Sequence, residues 1–154
     1  MSSIKKNIAL KPFMVKKSVK IGIVQSEYNS LITNVLLESC LAELKKSGVE
    51  SKNIILQKVP GAWEIPIACQ SLAKKNKLDV LITLGLILKG QTPHFDIIAT
   101  ACAQGIMEVS LKLDLPIIFG VLTTTTLAQA KARIKGGAHG DKGIEAAQAA
   151  LRMI

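Results

Sequence analysis

The sequence predicts an α/β fold: a three-layer α/β/α sandwich around a central four-stranded parallel sheet. Four short apolar runs, typical of strands, alternate with segments whose apolar residues recur at helical spacing. The third run, residues 80–88, is almost continuously apolar, as expected of a central parallel strand covered on both faces. Strands that alternate with helices in one domain favour parallel pairing with helices on both sides of the sheet.

Each predicted strand is rich in Ile, Leu and Val and is bounded by glycine, proline or polar residues. The first helix can be capped by Asn29, and Gly48 ends it because glycine tolerates the left-handed backbone of a helix end. Thr126 and Gln129 match a capping box that opens the fourth helix. The predicted strands are 19–24, 54–59, 80–88 and 116–122. The predicted helices run from 29 to about 46, 65 to 75, 94 to about 113, 126 to the glycine-rich segment 136–143, and 144 to 154.

The net charge of +9 is concentrated at the start of the chain. Six lysines precede Glu27, the first acidic residue, so the remainder of the chain carries only +3. We interpret residues 1–17 as a basic, solvated arm and 18–154 as one domain; the alternative is a polyanion-binding tail. Since no aromatic residues alternate with the lysines to stack on bases, we expect no nucleic-acid partner.

Composition also bears on cellular location. The most apolar stretch is far shorter than the roughly 20 residues that cross a bilayer, and the N-terminus lacks an apolar signal region, so we expect neither membrane insertion nor secretion. The three cysteines form no C-x-x-C pair, which predicts buried, reduced thiols in a cytoplasmic protein rather than a zinc or redox site. High hydropathy without a span indicates burial of surface against other subunits.

Residues 90–96 carry the strongest local feature. Thr92 is a good N-cap and Pro93 a good first helical residue, which places His94 in the first turn. Backbone N–H groups at such a helix start attract an anion such as phosphate, and an imidazole beside it can transfer protons near neutral pH. The alternative is a capped helix with a surface histidine.

Other candidates stand where strands are predicted to end, the edge at which parallel sheets bind ligands. Tyr28 and Trp63 follow the first two strands and Phe119 lies within the fourth, although for each ring alone core packing is the more common explanation. Glu64 can serve a ligand or simply stabilise a helix start. Arg133, one of two arginines, suits phosphate through its fork of donors, although a helix-surface role also fits. The segment 136–143 fails the phosphate-loop pattern, and no dinucleotide fingerprint follows the first strand.

Five motifs occur in order from about residue 18 to the end: 26–29, 59–66, 84–96, 116–124 and 133–142. Together they resemble the 6,7-dimethyl-8-ribityllumazine synthase family of riboflavin biosynthesis. The resemblance implies a flavodoxin-like fold and the condensation of 5-amino-6-(D-ribitylamino)uracil with 3,4-dihydroxy-2-butanone 4-phosphate. It implies two small-molecule substrates, no metal and no organic cofactor. It also implies homopentamers, often assembled into a 60-subunit icosahedral shell, active sites between subunits, and riboflavin synthase as a candidate partner.

The resemblance also implies residue roles. His94 transfers protons, Tyr28 stacks on the pyrimidine, and Phe119 reaches the site from an adjacent subunit. The expected phosphate-binding residues are Gln91, Thr92 and Arg133, the last acting across the interface. The residues expected to bind the ribitylaminouracil are Tyr28, Ala62, Trp63, Glu64, Leu86, Ile87, Leu88, Phe119 and Lys142. Two features depart from the common pattern: Glu27 replaces a usual arginine, and the 133–142 connector is one residue longer.

Two other functions are alternatives. A non-catalytic flavin- or lumazine-binding protein could dispense with the phosphate-binding residues, whereas this chain keeps Thr92, His94 and Arg133 together. A basic RNA-binding domain would show binding that weakens steeply with salt and is lost without residues 1–20. The enzyme is the function that the motifs favour.

Overall fold

A computed structural model describes residues 14–16 and 18–154. The basic arm predicted for residues 1–17 therefore lies, apart from 14–16, outside the described residues. Short 3-10 turns at Ser51–Asn53 and Ala62–Glu64 precede the second strand and second helix. The elements are β1 (Ile21–Ser26), α1 (Ser30–Lys46), β2 (Ile54–Val59), α2 (Ile65–Lys75), β3 (Val80–Leu88), α3 (His94–Leu113), β4 (Ile117–Thr124), α4 (Leu127–Lys131) and α5 (Lys142–Arg152).

The four described strands form one parallel sheet in the order β2-β1-β3-β4, which confirms the predicted fold class. From β1 the chain crosses outward to β2, and from β3 it crosses outward in the opposite direction to β4. The boundary between β1 and β3 is therefore the switch point of the sheet, beside which loops separate to leave a crevice. All four strands end at the same edge, called here the carboxyl edge.

Two apolar layers bury the sheet. The helices α1 and α5 cover one face, where Ile23, Ile82 and Leu84 are inaccessible to solvent. The helices α2 and α3 cover the other face, over Val24 and Leu81. Because alternate residues of a strand point to opposite faces, the nearly continuous apolar run in β3 supplies both layers.

Glycines set the closest approaches of helix to helix. A Cβ at Gly143 in α5 would collide with the carbonyl oxygen of Leu36 in α1. A Cβ at Gly105 in α3 would lie 2.8 Å from the ring of Pro66 in α2. Each helix pair therefore packs through a position that has no room for a side chain.

Several boundaries differ from the predictions for identifiable reasons. The strand predicted at 19–24 runs from Ile21 to Ser26, and the strand predicted at 116–122 extends to Thr124. Helix α5 begins two residues before 144, because the Asp141 carboxylate accepts hydrogen bonds from the N–H groups of Gly143 (2.9 Å) and Ile144 (3.2 Å). Helix α4 ends at Lys131, well before the glycine-rich segment.

Of three predicted helix caps, one forms as expected and two differ. Gly48 has φ 91°, as predicted for a residue that ends α1. Asn29 occupies the predicted cap position of α1, but its backbone is left-handed and its side chain makes no capping bond. Pro93 rather than Thr92 is the residue before α3, and Thr92 Oγ1 accepts only a long bond (3.4 Å) from the His94 N–H.

The three thiols are free and buried, as predicted. Burial raises the pKa of Cys40 and of Cys69 to about 12 and that of Cys102 to about 11. Nearby charge adds to the effect, from Asp141 at Cys40 and from Cys102 at Cys69. At neutral pH these groups are therefore protonated and weakly nucleophilic.

The raised thiol pKa values predict a loss of stability at high pH. Unfolded cysteines ionise near pH 9, whereas the folded thiols resist ionisation to about pH 11 or 12, so the free energy of unfolding should fall as pH rises above 9. Urea unfolding at pH 7.5 and pH 10 measures the fall. A variant with alanine at Cys40, Cys69 and Cys102 is the control and should lose less stability; an equal loss in both proteins would contradict the assignment.

Candidate functional site

Three loops meet at the carboxyl edge and are joined by hydrogen bonds. The Tyr28 N–H donates to the Pro60 carbonyl oxygen at 2.9 Å, which carries the pairing of β1 with β2 beyond the strand ends. Asn29 Nδ2 donates to the Leu86 carbonyl oxygen at 3.2 Å, which ties the loop after β1 to the end of β3. These bonds bring the predicted residues of the first three strand ends to one side of the molecule.

Two aromatic rings stand exposed at this edge. Tyr28 is 73% exposed and Trp63 is 58% exposed, so neither is a core residue in the single chain. Large exposed rings in a protein so poor in aromatics mark a surface that another group covers. The core-packing alternative is wrong for these two rings, and a flat ligand or a second subunit is what such a surface can accept.

Residues 62–64 form the turn between β2 and α2. Ala62 is buried, whereas Glu64 is partly buried and its Oε2 accepts a hydrogen bond from the Gly61 N–H at 3.0 Å. The carboxylate therefore stabilises the start of this turn, which is the structural one of the two roles predicted for it. The same bond holds it at the carboxyl edge beside Trp63.

The end of β3 contributes its backbone rather than its side chains. Leu86 and Ile87 are buried, and Leu88 is partly buried. The Leu86 carbonyl already accepts the Asn29 bond. Contact of Leu86 and Ile87 with a ligand would consequently involve their main-chain groups.

The loop after β3 leads directly to α3. Gln91, Thr92 and His94 are all exposed, and α3 begins at His94 and runs for 20 residues. The base of the loop is fixed by the Lys89 N–H, which donates to the Thr124 carbonyl oxygen at 2.9 Å. The start of a long helix, with an imidazole in its first turn, thus opens to solvent next to the end of β4.

Phe119 lies away from this group. It sits opposite Thr83 in the sheet, five residues before Thr124. At about 3.3 Å per residue it is roughly 17 Å along β4 from the carboxyl edge. The single chain does not bring Phe119 to the other candidates.

Arg133 lies on the connector between α4 and α5, and Lys142 is the first residue of α5. The Lys142 N–H donates to the Arg133 carbonyl oxygen at 2.9 Å, which closes the loop 133–142 on itself. Arg133 Nη1 donates to the Gln129 carbonyl oxygen at 2.8 Å, and Lys142 Nζ is 2.7 Å from Glu145 Oε2. Across residues 14–16 and 18–154, no hydrogen bond or ion pair joins either cation to Gln91, Thr92 or His94.

Two further findings concern the described residues as a whole. None of their His, Cys, Asp and Glu side chains form a group of three or more that could hold a metal ion. No helix among them is sufficiently long and apolar to cross a membrane.

Sequence reasoning missed the role of Asn29. It was expected to cap α1, yet its amide bridges β1 to β3. A hint was available, because asparagine tolerates the left-handed backbone better than other non-glycine residues, and that conformation turns the amide away from the helix. The sequence predicts Gln129 only as part of a capping box, whereas its side chain also accepts two hydrogen bonds from Thr125.

The chain is similar to known proteins over most of its length. The family model described as 6,7-dimethyl-8-ribityllumazine synthase matches residues 18–154. A protein of that name from Protochlamydia amoebophila is 47% identical over 135 residues, which cover 88% of this chain and 78% of the relative. Its namesake from Parabacteroides distasonis is 44% identical over 136 residues, covering 88% and 84%. Another, from Phocaeicola vulgatus, is 41% identical over 138 residues, covering 90% and 82%.

Replacing Asn29 tests the bridge between β1 and β3. Asn29→Ala loses the hydrogen bond to Leu86 and forces alanine into a left-handed conformation, so the free energy of unfolding should fall by about 2 kcal/mol. Asn29→Gly loses the bond but accepts the backbone and should cost about half as much. Urea unfolding of both variants measures the difference; equal stability of Asn29→Ala and the unmodified protein would show that the bridge contributes nothing.

Proposed function

The chain belongs to the 6,7-dimethyl-8-ribityllumazine synthase family, and from that premise we propose that it catalyses the family reaction at the carboxyl edge. It condenses 5-amino-6-(D-ribitylamino)uracil with 3,4-dihydroxy-2-butanone 4-phosphate to give 6,7-dimethyl-8-(D-ribityl)lumazine, phosphate and water. The observation that carries the proposal is the grouping of exposed Tyr28 and Trp63 with the His94 helix start at one edge.

In this proposal each loop receives one part of the substrates. The phenol ring of Tyr28 stacks on the pyrimidine, because an exposed ring offers a flat apolar face to a flat heterocycle. Residues 62–64 meet the ribityl chain, and the main chain of residues 86–88 meets the uracil edge. Gln91 and Thr92 bind the phosphate through the N–H groups of the α3 start.

The remaining binding groups come from a neighbouring subunit. Phe119, Arg133 and Lys142 belong to the proposed site, yet within one chain they are not bonded to its other members, so a homo-oligomer with sites between subunits accounts for them. An apolar stripe supports association: Ile97, Met107 and Leu111 on one face of α3 are 59%, 59% and 75% exposed. We propose a pentamer, with the 60-subunit shell as the larger assembly and riboflavin synthase as a candidate partner.

The proposal also includes a cytoplasmic location. It rests on the three buried, free thiols, which suit a reducing compartment.

Catalysis then has two sources. Two reactants held in register avoid the entropy of meeting, which is worth up to about 7–11 kcal/mol in ideal cases. His94, exposed at the helix start beside the phosphate, moves protons during imine formation and assists phosphate loss. The aliphatic core contributes rigidity rather than chemistry.

The direct test mixes the purified protein with both substrates and follows lumazine absorbance and phosphate release together. The enzyme forms both products faster than the spontaneous reaction. A protein that binds lumazine without forming either product would instead be the non-catalytic relative on the same scaffold.

Removal of the imidazole should slow the reaction without abolishing it. His94→Ala loses proton transfer, worth about 10²–10⁴-fold in kcat, but keeps both binding surfaces. The matched control is His139→Ala, since His139 is the other histidine and is exposed on the connector. Steady-state kinetics at saturating substrates measure kcat; an unchanged kcat in His94→Ala would remove His94 from the mechanism.

Removal of the guanidinium should weaken binding of the phosphate substrate. Arg133→Ala raises KM for the butanone phosphate by about tenfold or more, because a charge-assisted bond of about 1.5–3 kcal/mol is lost, while KM for the pyrimidine changes little. Arg152→Ala, at the exposed end of α5, is the matched control. If KM for the phosphate substrate stays the same in Arg133→Ala, another group binds the phosphate.

A further inference from the structure

We propose that Gln129 is a positioning residue that holds Arg133 in place for binding of the phosphate substrate. The proposal rests on the proposed function, in which Arg133 binds the phosphate. Gln129 touches neither substrate in this account and acts only through the connector.

The side chain of Gln129 anchors α4 to the end of β4. Its Oε1 accepts two hydrogen bonds from Thr125, one from the backbone N–H at 2.9 Å and one from Oγ1 at 2.8 Å. Its own N–H donates to Thr126 Oγ1 at 3.2 Å. Thr124, the last residue of β4, donates its hydroxyl to the Thr126 carbonyl oxygen at 3.0 Å. This network attaches Gln129 to the rigid sheet.

The main chain of Gln129 continues the connection to Arg133. Its carbonyl oxygen accepts the 2.8 Å bond from Arg133 Nη1. A guanidinium carries five N–H donors in one plane, so a bond to one of them sets the orientation of the fork without exhausting it. The direction in which Arg133 presents its other donors therefore depends on where residue 129 lies.

Lys142 begins α5, and its N–H donates to the Arg133 carbonyl at 2.9 Å. Its position is set by α5, whose Gly143 packs against Leu36 of α1. Helix α4 has only five residues and few internal hydrogen bonds. Buried Ala130 and Ile134 anchor α4 and the connector in the core, and the Gln129 side chain adds the two bonds to Thr125 that fix the turn between β4 and α4.

The test uses the assembled enzyme and compares four variants: Gln129→Ala, Thr125→Val, Arg133→Ala and the double variant Gln129→Ala with Arg133→Ala. Gln129→Ala removes both side-chain bonds and should raise KM for the phosphate substrate about fivefold with little change in kcat. Thr125→Val removes only the hydroxyl bond and should have a smaller effect in the same direction. The control is Gln148→Ala, which loses a 3.1 Å bond to Glu43 between α1 and α5.

The double variant separates positioning from direct binding. If Gln129 acts through Arg133, KM for the phosphate substrate in the double variant equals that of Arg133→Ala alone. The inference would be overturned if the two single-variant increases in KM multiply in the double variant, or if KM is unchanged in Gln129→Ala. In both cases Arg133→Ala would still show its own effect. Failure of the proposed function looks different, because the unmodified protein would then form no lumazine.

Discussion

Parallel pairing of β1 with both β2 and β3 is the constraint on which the rest of the structure depends. Parallel strands need crossovers, so every strand ends at the same edge and every connecting helix returns along a face. Because the chain crosses outward from β1 to β2 and in the opposite direction from β3 to β4, the switch point lies between β1 and β3. The Asn29 bond to Leu86 spans this point. The parallel sheet is therefore sufficient to bring the three loops of the candidate site together.

The candidate residues fall into two groups with different supports. Tyr28 and Trp63 follow the ends of β1 and β2, and His94 begins a 20-residue helix. Arg133 lies on the connector, which is held by the five-residue α4 at one end and, at the other, by α5, which Lys142 begins. A short helix can be displaced more easily than a central strand.

Aliphatic and aromatic side chains occupy different parts of this fold. Aliphatic side chains fill both layers of the core, with Ile21, Leu36 and Leu81 fully buried. Rings are placed where flat surfaces are useful, and two of the largest are more than half exposed in the single chain. Such surfaces are covered by substrate binding or by subunit association. The exposed rings at the carboxyl edge and the apolar stripe of α3 therefore agree with the proposed site between subunits.

The sequence by itself determined the order and type of the elements, because apolar runs, helical spacing and capping residues are local signals: β2, α2 and β3 have the predicted bounds. It also pointed to the family, since five motifs in order are specific. Tertiary structure alone decided what Asn29 and Gln129 do, because a polar side chain chooses its partner from groups that only folding brings near. It also left the Tyr28 and Trp63 rings exposed at the carboxyl edge, because exposure depends on which elements pack together in the fold.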